Sequence, residues 1–366
     1  MKDTKKTPSP LWGPMGAALG MLIYALFFQG RFDPATKQRE ETARRAAEIA
    51  RSMQQNAVSV ADILPRATPA VYYVSGDYQY IIQDDHTVKI TQYNGNEDFV
   101  VVPGELDGYP LTAVGKKCFS NNQLVQITLP EGVVRIEKQA FDSCLFLQSV
   151  YLPDSVEDIG SYIFYKCTSL TDIRLPEGLT DIYPGMFQYC TALSTISFPD
   201  SVIDIHMMAF ENCKSLREIT MPEGTTMICS DTFGGCISLK RVTIPDSVTV
   251  IGSYAFQVCS ALEEIEIPEK VEEICQYAFY GCRSLKKINI PDSTREIGEK
   301  AFYGCGSLTS LFIPDSVTII GEEAFAKCKN LEISVVAGSY AEQYCIQNGL
   351  NYSIQMESKT AISGFQ

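Results

Sequence analysis

Hydrophobic and polar positions repeat along most of the chain with a period of 23 residues. Three columns show this period, because a Pro, a Phe and a Cys each recur nine times at this spacing. The columns are Pro130, Pro153, Pro176, Pro199, Pro222, Pro245, Pro268, Pro291 and Pro314; Phe141, Phe164, Phe187, Phe210, Phe233, Phe256, Phe279, Phe302 and Phe325; and Cys144, Cys167, Cys190, Cys213, Cys236, Cys259, Cys282, Cys305 and Cys328. Agreement among three columns excludes chance and indicates one repeated structural unit.

Each unit joins a strand pattern to a turn pattern. In residues 172–176, DIRLP, side chains alternate in polarity, which predicts a strand that ends at Pro176. The following Ile-Gly-x-x-Ala-Phe-x-x-Cys pattern predicts a helical turn that places the Phe in the core. A period of 20–29 residues rich in Leu and Ile is typical of a leucine-rich-repeat solenoid.

A single unit cannot bury its own apolar side chains. It supplies about eight apolar groups, each worth roughly 1.5–3 kcal/mol when buried, but one coil has no interior. Stacked coils create that interior, so only the array is stable. We therefore predict an α/β repeat fold, a leucine-rich-repeat solenoid of about ten 23-residue coils over residues 108–336.

The open ends of a solenoid need caps. Residues 71–107 alternate aromatic and β-branched side chains around turn residues, which predicts a β-rich N-terminal cap. Residues 337–354 predict a C-terminal cap, a short helix closed by Gly349 and then a strand. Residues 355–366 are predicted to be a disordered tail.

The first 70 residues predict a membrane attachment. A basic tail, 1–10, precedes an apolar segment, 11–30, whose uncharged run of 18 residues from Leu11 to Phe28 would span about 27 Å as a helix. This segment is predicted to be a transmembrane anchor or an uncleaved signal, with a cleaved signal peptide as the alternative. A helical stalk over 31–57 and a Pro/Ala linker over 58–70 follow. The stalk has a weak apolar stripe, so homo-oligomerisation through 34–56 is an alternative to a solvated spacer.

The expected location is the cell membrane, in a single pass with the repeats outside. Lys2, Lys5 and Lys6 resemble the basic end of a signal segment. The bias of basic residues toward the cytoplasmic side opposes this orientation. Six basic residues follow the apolar segment closely: Arg31, Lys37, Arg39, Arg44, Arg45 and Arg51.

Charge excludes some partners. The net charge is −14, and residues 1–69 hold ten Lys or Arg and six Asp or Glu, so the remainder carries −18. An acidic body repels phosphates, so we expect no nucleic acid partner. Only two His accompany 13 Cys, and no nucleotide-binding or hydrolase motif occurs, so we expect no metal, cofactor or catalytic residue.

The nine Cys of the repeated column form a cysteine ladder, which is open to three interpretations. Neighbouring coils are close enough for disulfides, but parallel side chains and an odd count oppose full pairing. A metal ladder needs clustered ligands such as C-x-x-C, which do not occur. The ladder is therefore interpreted as structural, a small buried side chain beside each Phe.

One column suggests chemistry. Tyr183, His206 and Cys229 fall at the same position of successive coils, where a Cys–His dyad could form. Each of them replaces a Gly of other units, and no oxyanion hole is evident. A Cys/His hydrolase therefore remains a remote alternative.

Outward residues of the predicted strands, expected on the concave face, are the candidates for ligand binding. Their charge alternates between neighbouring coils, which fits either an ion ladder or a polar ligand track. Exposed aromatic residues near either end are further candidates. The candidate set is Tyr151, Arg174, Arg241, Glu264, Glu266, Lys287 and Phe312.

The pattern LPDSVxxIGxxAFxxCxxL resembles the BspA-like leucine-rich repeats of bacterial surface proteins, and the resemblance covers residues 71–353. It implies cell-surface adhesion or ligand capture. We expect a membrane-anchored binding module with no catalysis of its own, whose repeat surface recognises a protein or a glycan. The alternative is an architectural cell-envelope protein that oligomerises through its stalk. Departures from the pattern are His86, Glu137, Tyr183, His206, Cys229 and Cys275.

Overall fold

A computed structural model of the chain describes residues 70–355. The predicted basic tail, membrane segment, stalk, nearly all of the linker and residues 356–366 of the tail lie outside these residues. Within 70–355, no helix has the length and apolar character needed to cross a membrane.

Short strands dominate the described part of the chain, with one α-helix near its end. The helix α1 is Tyr340–Asn348. The strands are β1 Tyr73–Ser75, β2 Tyr78–Ile82, β3 Val88–Tyr93, β4 Phe99–Val101, β5 Glu105–Leu106, β6 Tyr109–Val114, β7 Gln126–Thr128, β8 Arg135–Ile136, β9 Ser149–Tyr151, β10 Asp158–Ile159, β11 Asp172–Arg174, β12 Asp181–Ile182, β13 Asp204–Ile205, β14 Glu218–Thr220, β15 Met227–Ile228, β16 Arg241–Thr243, β17 Val250–Ile251, β18 Glu264–Ile265, β19 Glu273–Ile274, β20 Lys287–Ile288, β21 Glu296–Ile297, β22 Ser310–Ile313, β23 Ile319–Ile320, β24 Glu332–Val336 and β25 Tyr352–Gln355.

Each coil, except the one that contains residues 195–199, contributes two strands to two parallel ladders. The first-strand ladder contains β4, β7, β9, β11, β14, β16, β18, β20, β22, β24 and β25, and the second-strand ladder runs from β6 through β8 to β23. Paired residues of successive repeats are 23 apart, as in Asp172 with Ser149 and Glu264 with Lys287. The period read from the sequence is therefore one turn of the solenoid, and the predicted solenoid is confirmed.

The third side of each coil is a ladder of turns, which corrects the predicted α/β repeat and its helical turn. In each coil, the residue two positions before the Phe and the residue two positions after it have positive φ, for example Gln139 at 61° and Ser143 at 60° around Phe141. Left-handed residues interrupt an α-helix. The N–H groups of Gln139, Phe141 and Ser143 donate instead to carbonyls of the next coil, at 2.7–3.1 Å. Within 70–355 the repeats contain no helix.

The core is a column of ten stacked Phe rings. From Phe119 to Phe325, successive ring centroids are 5.3–5.8 Å apart and the ring planes lie within 15° of parallel. All ten rings are buried. Each ring therefore packs between its neighbours, and the array shares one continuous core.

The cysteine ladder runs beside this column. All 13 Cys are free thiols in the structure, and eight of the nine ladder residues are buried, Cys328 being half-buried. Each ladder thiol also donates to the carbonyl of the Phe one coil back, as Cys236 Sγ does to Phe210 at 3.1 Å. Burial raises the pKa of Cys236 to about 12, which keeps the donor protonated. The nine bonds span 2.9–3.3 Å.

Both ends of the core are closed by a cap that adds a Tyr ring. At the N-terminal end, β1, β2 and β3 pair antiparallel, and the ring centroid of Tyr93 lies 5.3 Å from that of Phe119. At the other end, Tyr344 of α1 meets Phe325 edge-on at 6.2 Å. Ser339 caps the start of α1, Gly349 ends it in a left-handed conformation, and β25 continues one residue beyond the predicted cap.

We expect Phe233→Ala and Cys236→Ala to differ clearly in urea unfolding. Removing the ring leaves a cavity inside the stack and should lower the free energy of unfolding by about 3–5 kcal/mol. Removing the thiol should cost only about 1 kcal/mol, because the Phe210 carbonyl keeps the 3.0 Å bond from the Cys213 N–H. A reducing agent alone should change nothing, and a sharp loss of stability on reduction would contradict the free-thiol ladder.

Strain in the turn ladder predicts an opposite pair of effects. Val258 has φ 58°, although the same position in neighbouring coils is glycine, as in Gly281 at φ 72°. A β-branched residue is disfavoured there, so Val258→Gly should stabilise the protein by about 1 kcal/mol. Gly281→Val should destabilise it by about the same amount, since a Cβ there meets only an ordinary 3.6 Å contact. Thermal unfolding measures both changes in melting temperature. If both variants shifted in the same direction, side-chain packing and not backbone strain would control stability at this position.

Candidate ligand-binding surface

The outward side chains of the first-strand ladder form one continuous surface, which we call the first-strand face. Alternation within each strand creates it, since Val242 of β16 is buried while Arg241 and Thr243 are exposed. The seven candidate residues lie on this face, in or directly beside β9, β11, β16, β18, β20 and β22. They do not form one cluster, and the structure separates them into three groups.

The first group is an internal cluster around Arg174. Its guanidinium donates to the Tyr151 hydroxyl at 3.1 Å and to Asp154 at 2.8 Å, and lies 5.4 Å from the Tyr151 ring centroid. The hydrogen bonds from Arg174 hold the pKa of Asp154 below its usual range. Tyr151 and Arg174 therefore satisfy each other, which leaves them less suited to a ligand than their separate positions in the sequence indicated.

The second group lines a charged groove of about 560 Å³. Arg241, Glu264, Glu266 and Lys287 all contribute to its walls, together with Asn289. Three successive coils thus bring side chains of both signs to one depression. Charged groups of either sign on a ligand would find an opposite charge in this groove.

The third group is Phe312 alone. Its side chain is 37% exposed, similar to the 38% of Tyr151. The two aromatic residues occupy one column, seven coils apart, which corresponds to roughly 34 Å at the spacing of neighbouring strands. The structure does not bring them together.

An interrupted coil creates a second groove, which sequence analysis missed. Residues 195–199 form no strand, although coils on both sides have one. Phe198 stands where Leu175 and Met221 stand in adjacent coils, and its half-buried ring meets Phe210 edge-on at 6.1 Å. Phe198 is thus the aromatic exception in an aliphatic column, which was the signal available in the sequence.

This open groove measures about 560 Å³ and adjoins the charged groove through Arg241, which lines both. Its walls combine hydroxyl groups, apolar surface and charge. They include Thr195, Ser197, Phe198, Ile203, Thr220 and Glu218. The two grooves together form one continuous candidate surface, lined by residues between 195 and 289.

The predicted ion ladder is present in part. Lys286 approaches Glu263 at 2.5 Å, and Arg241 approaches Glu218 at 3.8 Å. The hydrogen bond from Lys286 lowers the pKa of Glu263. Among the described residues, no ion pair engages the three remaining groove charges, Glu264, Glu266 and Lys287. These three charges are free to face a partner.

The column of Tyr183, His206 and Cys229 does not form a nucleophilic dyad. His206 Nε2 lies 3.0 Å from Asp181 Oδ1, and the Tyr183 ring stacks on the imidazole at 6.1 Å. Burial, with the nearby Asp204 carboxylate, raises the pKa of Cys229 to about 11. A thiol with this pKa is almost entirely protonated at neutral pH and is a poor nucleophile.

Three ladders around a stacked core define a leucine-rich-repeat solenoid. The family described as BspA type Leucine rich repeat region matches residues 112–239, 204–332 and 251–354, with six copies of the repeat. The chain belongs to this family. No curated protein matches the chain.

Solved bacterial structures are similar to the chain over most of their length. A leucine rich cell surface protein from Faecalibacterium prausnitzii is 27% identical, with a TM-score of 0.51, covering 80% of this chain and 97% of that one. A leucine-rich repeat protein from Bacteroides ovatus is 23% identical, with a TM-score of 0.47, covering 78% and 100%. The pneumococcal vaccine antigen PcpA is 17% identical, with a TM-score of 0.47, covering 78% and 99%.

Proposed function

We propose that this protein is a surface binding module that captures a protein or glycan ligand on its first-strand face. The observation that carries the proposal is the pair of adjoining grooves between residues 195 and 289, which share Arg241. A regular solenoid presents the same shallow surface at every coil. The interrupted coil departs from that regularity and provides a depression with distinct chemistry.

The groove chemistry suits a polar partner. The unpaired charges Glu264, Glu266 and Lys287 favour a ligand with groups of both signs, as a protein surface supplies. The open groove instead places the half-buried Phe198 ring among hydroxyl groups of Thr195 and Ser197, which suits stacking and hydrogen bonding of a sugar. Both ligand classes therefore belong in the test.

The proposed location is the cell membrane, with a single N-terminal pass and the repeats outside. The apolar segment 11–30 would supply the anchor and residues 31–57 the stalk. The similar Faecalibacterium prausnitzii structure is that of a cell surface protein, which supports an external repeat domain. Ligand capture requires this exposure.

An architectural role through self-association of residues 34–56 is the second candidate. It is favoured by the weak apolar stripe of Ala43, Ala46, Ala50 and Met53. Under that function the stalk would be essential and the grooves dispensable. We propose no catalytic role, because His206 is directed to Asp181 and the Cys229 thiol is protonated.

Ligand binding is tested with the purified full-length chain on a glycan array and by crosslinking to host and bacterial surface proteins. Arg241→Glu should weaken binding of any ligand at least tenfold, because it reverses a charge shared by both grooves. Arg135→Glu is the matched control, since Arg135 is also exposed and ion-paired, at 2.8 Å to Asp158, but lies on the second-strand ladder. Equal losses in both variants, or binding that survives Arg241→Glu, would refute the groove as the binding site.

The location is tested by protease treatment of intact cells. We expect the repeat domain to be digested before lysis, because an N-terminal anchor with the repeats outside leaves every coil accessible. A cytoplasmic protein should remain intact in the same samples as the control for cell integrity. Repeats that survive until lysis would place the domain inside the cell and remove the capture function with it.

A further inference from the structure

Two carboxylates face each other on the second-strand ladder without a Lys or Arg partner. Asp181 of β12 and Asp204 of β13 are register partners on adjacent parallel strands. Like charges directly opposite each other are destabilising. At the equivalent position one coil earlier, the Asp158 carboxylate forms an ion pair with Arg135, whose Nε lies 2.8 Å from Asp158 Oδ2. Among residues 70–355, the only basic side chain within ion-pair distance of either carboxylate is that of His206, which reaches Asp181.

His206 brings a nitrogen ligand to these carboxylates. Its Nε2 lies 3.0 Å from Asp181 Oδ1, and one ligand atom from each of Asp181, Asp204 and His206 falls within 4.8 Å of the others. The Thr180 hydroxyl donates to Asp181 Oδ2 at 2.7 Å, and the Tyr183 ring stacks on the imidazole. Such outer contacts orient metal ligands in known sites.

We propose that Asp181, Asp204 and His206 form a binding site for a divalent transition-metal ion, with Zn²⁺ as the best fit. Zinc takes His nitrogen and carboxylate oxygen at about 2.0–2.2 Å, so ligand atoms around it lie about 3.3 Å apart. At 3.0 Å, the pair formed by Asp181 Oδ1 and His206 Nε2 is close to this spacing. The ligand atom of the half-buried Asp204 lies within 4.8 Å of both, and a side-chain rotation toward the ion would shorten these distances.

The donor set selects among cations. Ca²⁺ and Mg²⁺ prefer sites made only of oxygen ligands, whereas an imidazole nitrogen with two carboxylates favours zinc and its neighbours in the transition series. Three protein ligands leave a further coordination position for water. Binding also removes the repulsion between the two carboxylates.

The position of the site indicates what the ion does. β12 and β13 form a two-stranded sheet that is separate from the sheets on both sides. On the other ladder, the same part of the array contains the interrupted coil, residues 195–199. An ion held by Asp181 from one coil and by Asp204 and His206 from the next would clamp these coils where both strand ladders are broken. The site does not depend on the proposed ligand capture.

The test titrates Zn²⁺ into the chelator-treated full-length chain by calorimetry, with thermal unfolding in parallel. We expect one Zn²⁺ per chain, a higher melting temperature with Zn²⁺, and at least tenfold weaker binding of Ca²⁺ and Mg²⁺. Asp204→Asn and His206→Gln should each weaken Zn²⁺ binding at least tenfold. Without metal, Asp204→Asn should fold at least as stably as the natural chain, since it removes the repulsion.

Asp158→Asn is the matched control, because it changes an aspartate of the same column that lies outside the cluster. It should bind Zn²⁺ like the natural chain. The proposal is overturned by any of three results: no Zn²⁺ binding by the natural chain, unchanged binding in Asp204→Asn, or equal losses in Asp158→Asn and Asp204→Asn.

Discussion

Stacking of one aromatic ring per coil sets the geometry on which the rest of the structure depends. Ten Phe rings lie 5.3–5.8 Å apart and nearly parallel, with Tyr93 and Tyr344 at the two ends. From Phe141 to Phe325 successive rings are 23 residues apart, and the first interval, from Phe119 to Phe141, is one residue shorter. This nearly constant length lets ring lie over ring and keeps the backbone groups of adjacent coils opposite each other.

The stack also explains why the turns tolerate unfavourable backbone conformations. Each coil places residues with positive φ on both sides of its Phe, and most of them are not glycine. These residues donate backbone hydrogen bonds to the next coil. A Cys thiol also donates a hydrogen bond to the Phe carbonyl one coil back, so the turn conformations are held by several contacts. Strain of this kind persists only where the surrounding structure determines it so strongly. The array is therefore stable as a whole and weak as an isolated coil.

Distinct chemistry arises where the repeat departs from its pattern. Phe198 in an aliphatic column accompanies the interrupted coil and the open groove. Tyr183 and His206 occupy a position of the repeat where other coils have a glycine, such as Gly160 and Gly252. They place aromatic rings beside two facing carboxylates. A repeated scaffold offers the same surface at each coil, so a recognition or metal site requires such local differences. Both departures fall in neighbouring coils, near the middle of the array.

The sequence by itself determined the solenoid, its 23-residue coil, the buried Phe column and both caps, because these depend on periodicity and on burial of apolar side chains. It wrongly indicated a helical turn, since the left-handed conformations arise from bonds to the next coil. Only the tertiary structure decided which candidate residues meet. Tyr151 pairs with Arg174, Arg241 joins two grooves, and Asp181, Asp204 and His206 converge. Contacts between coils depend on three-dimensional register and rotamers, which a linear pattern does not contain.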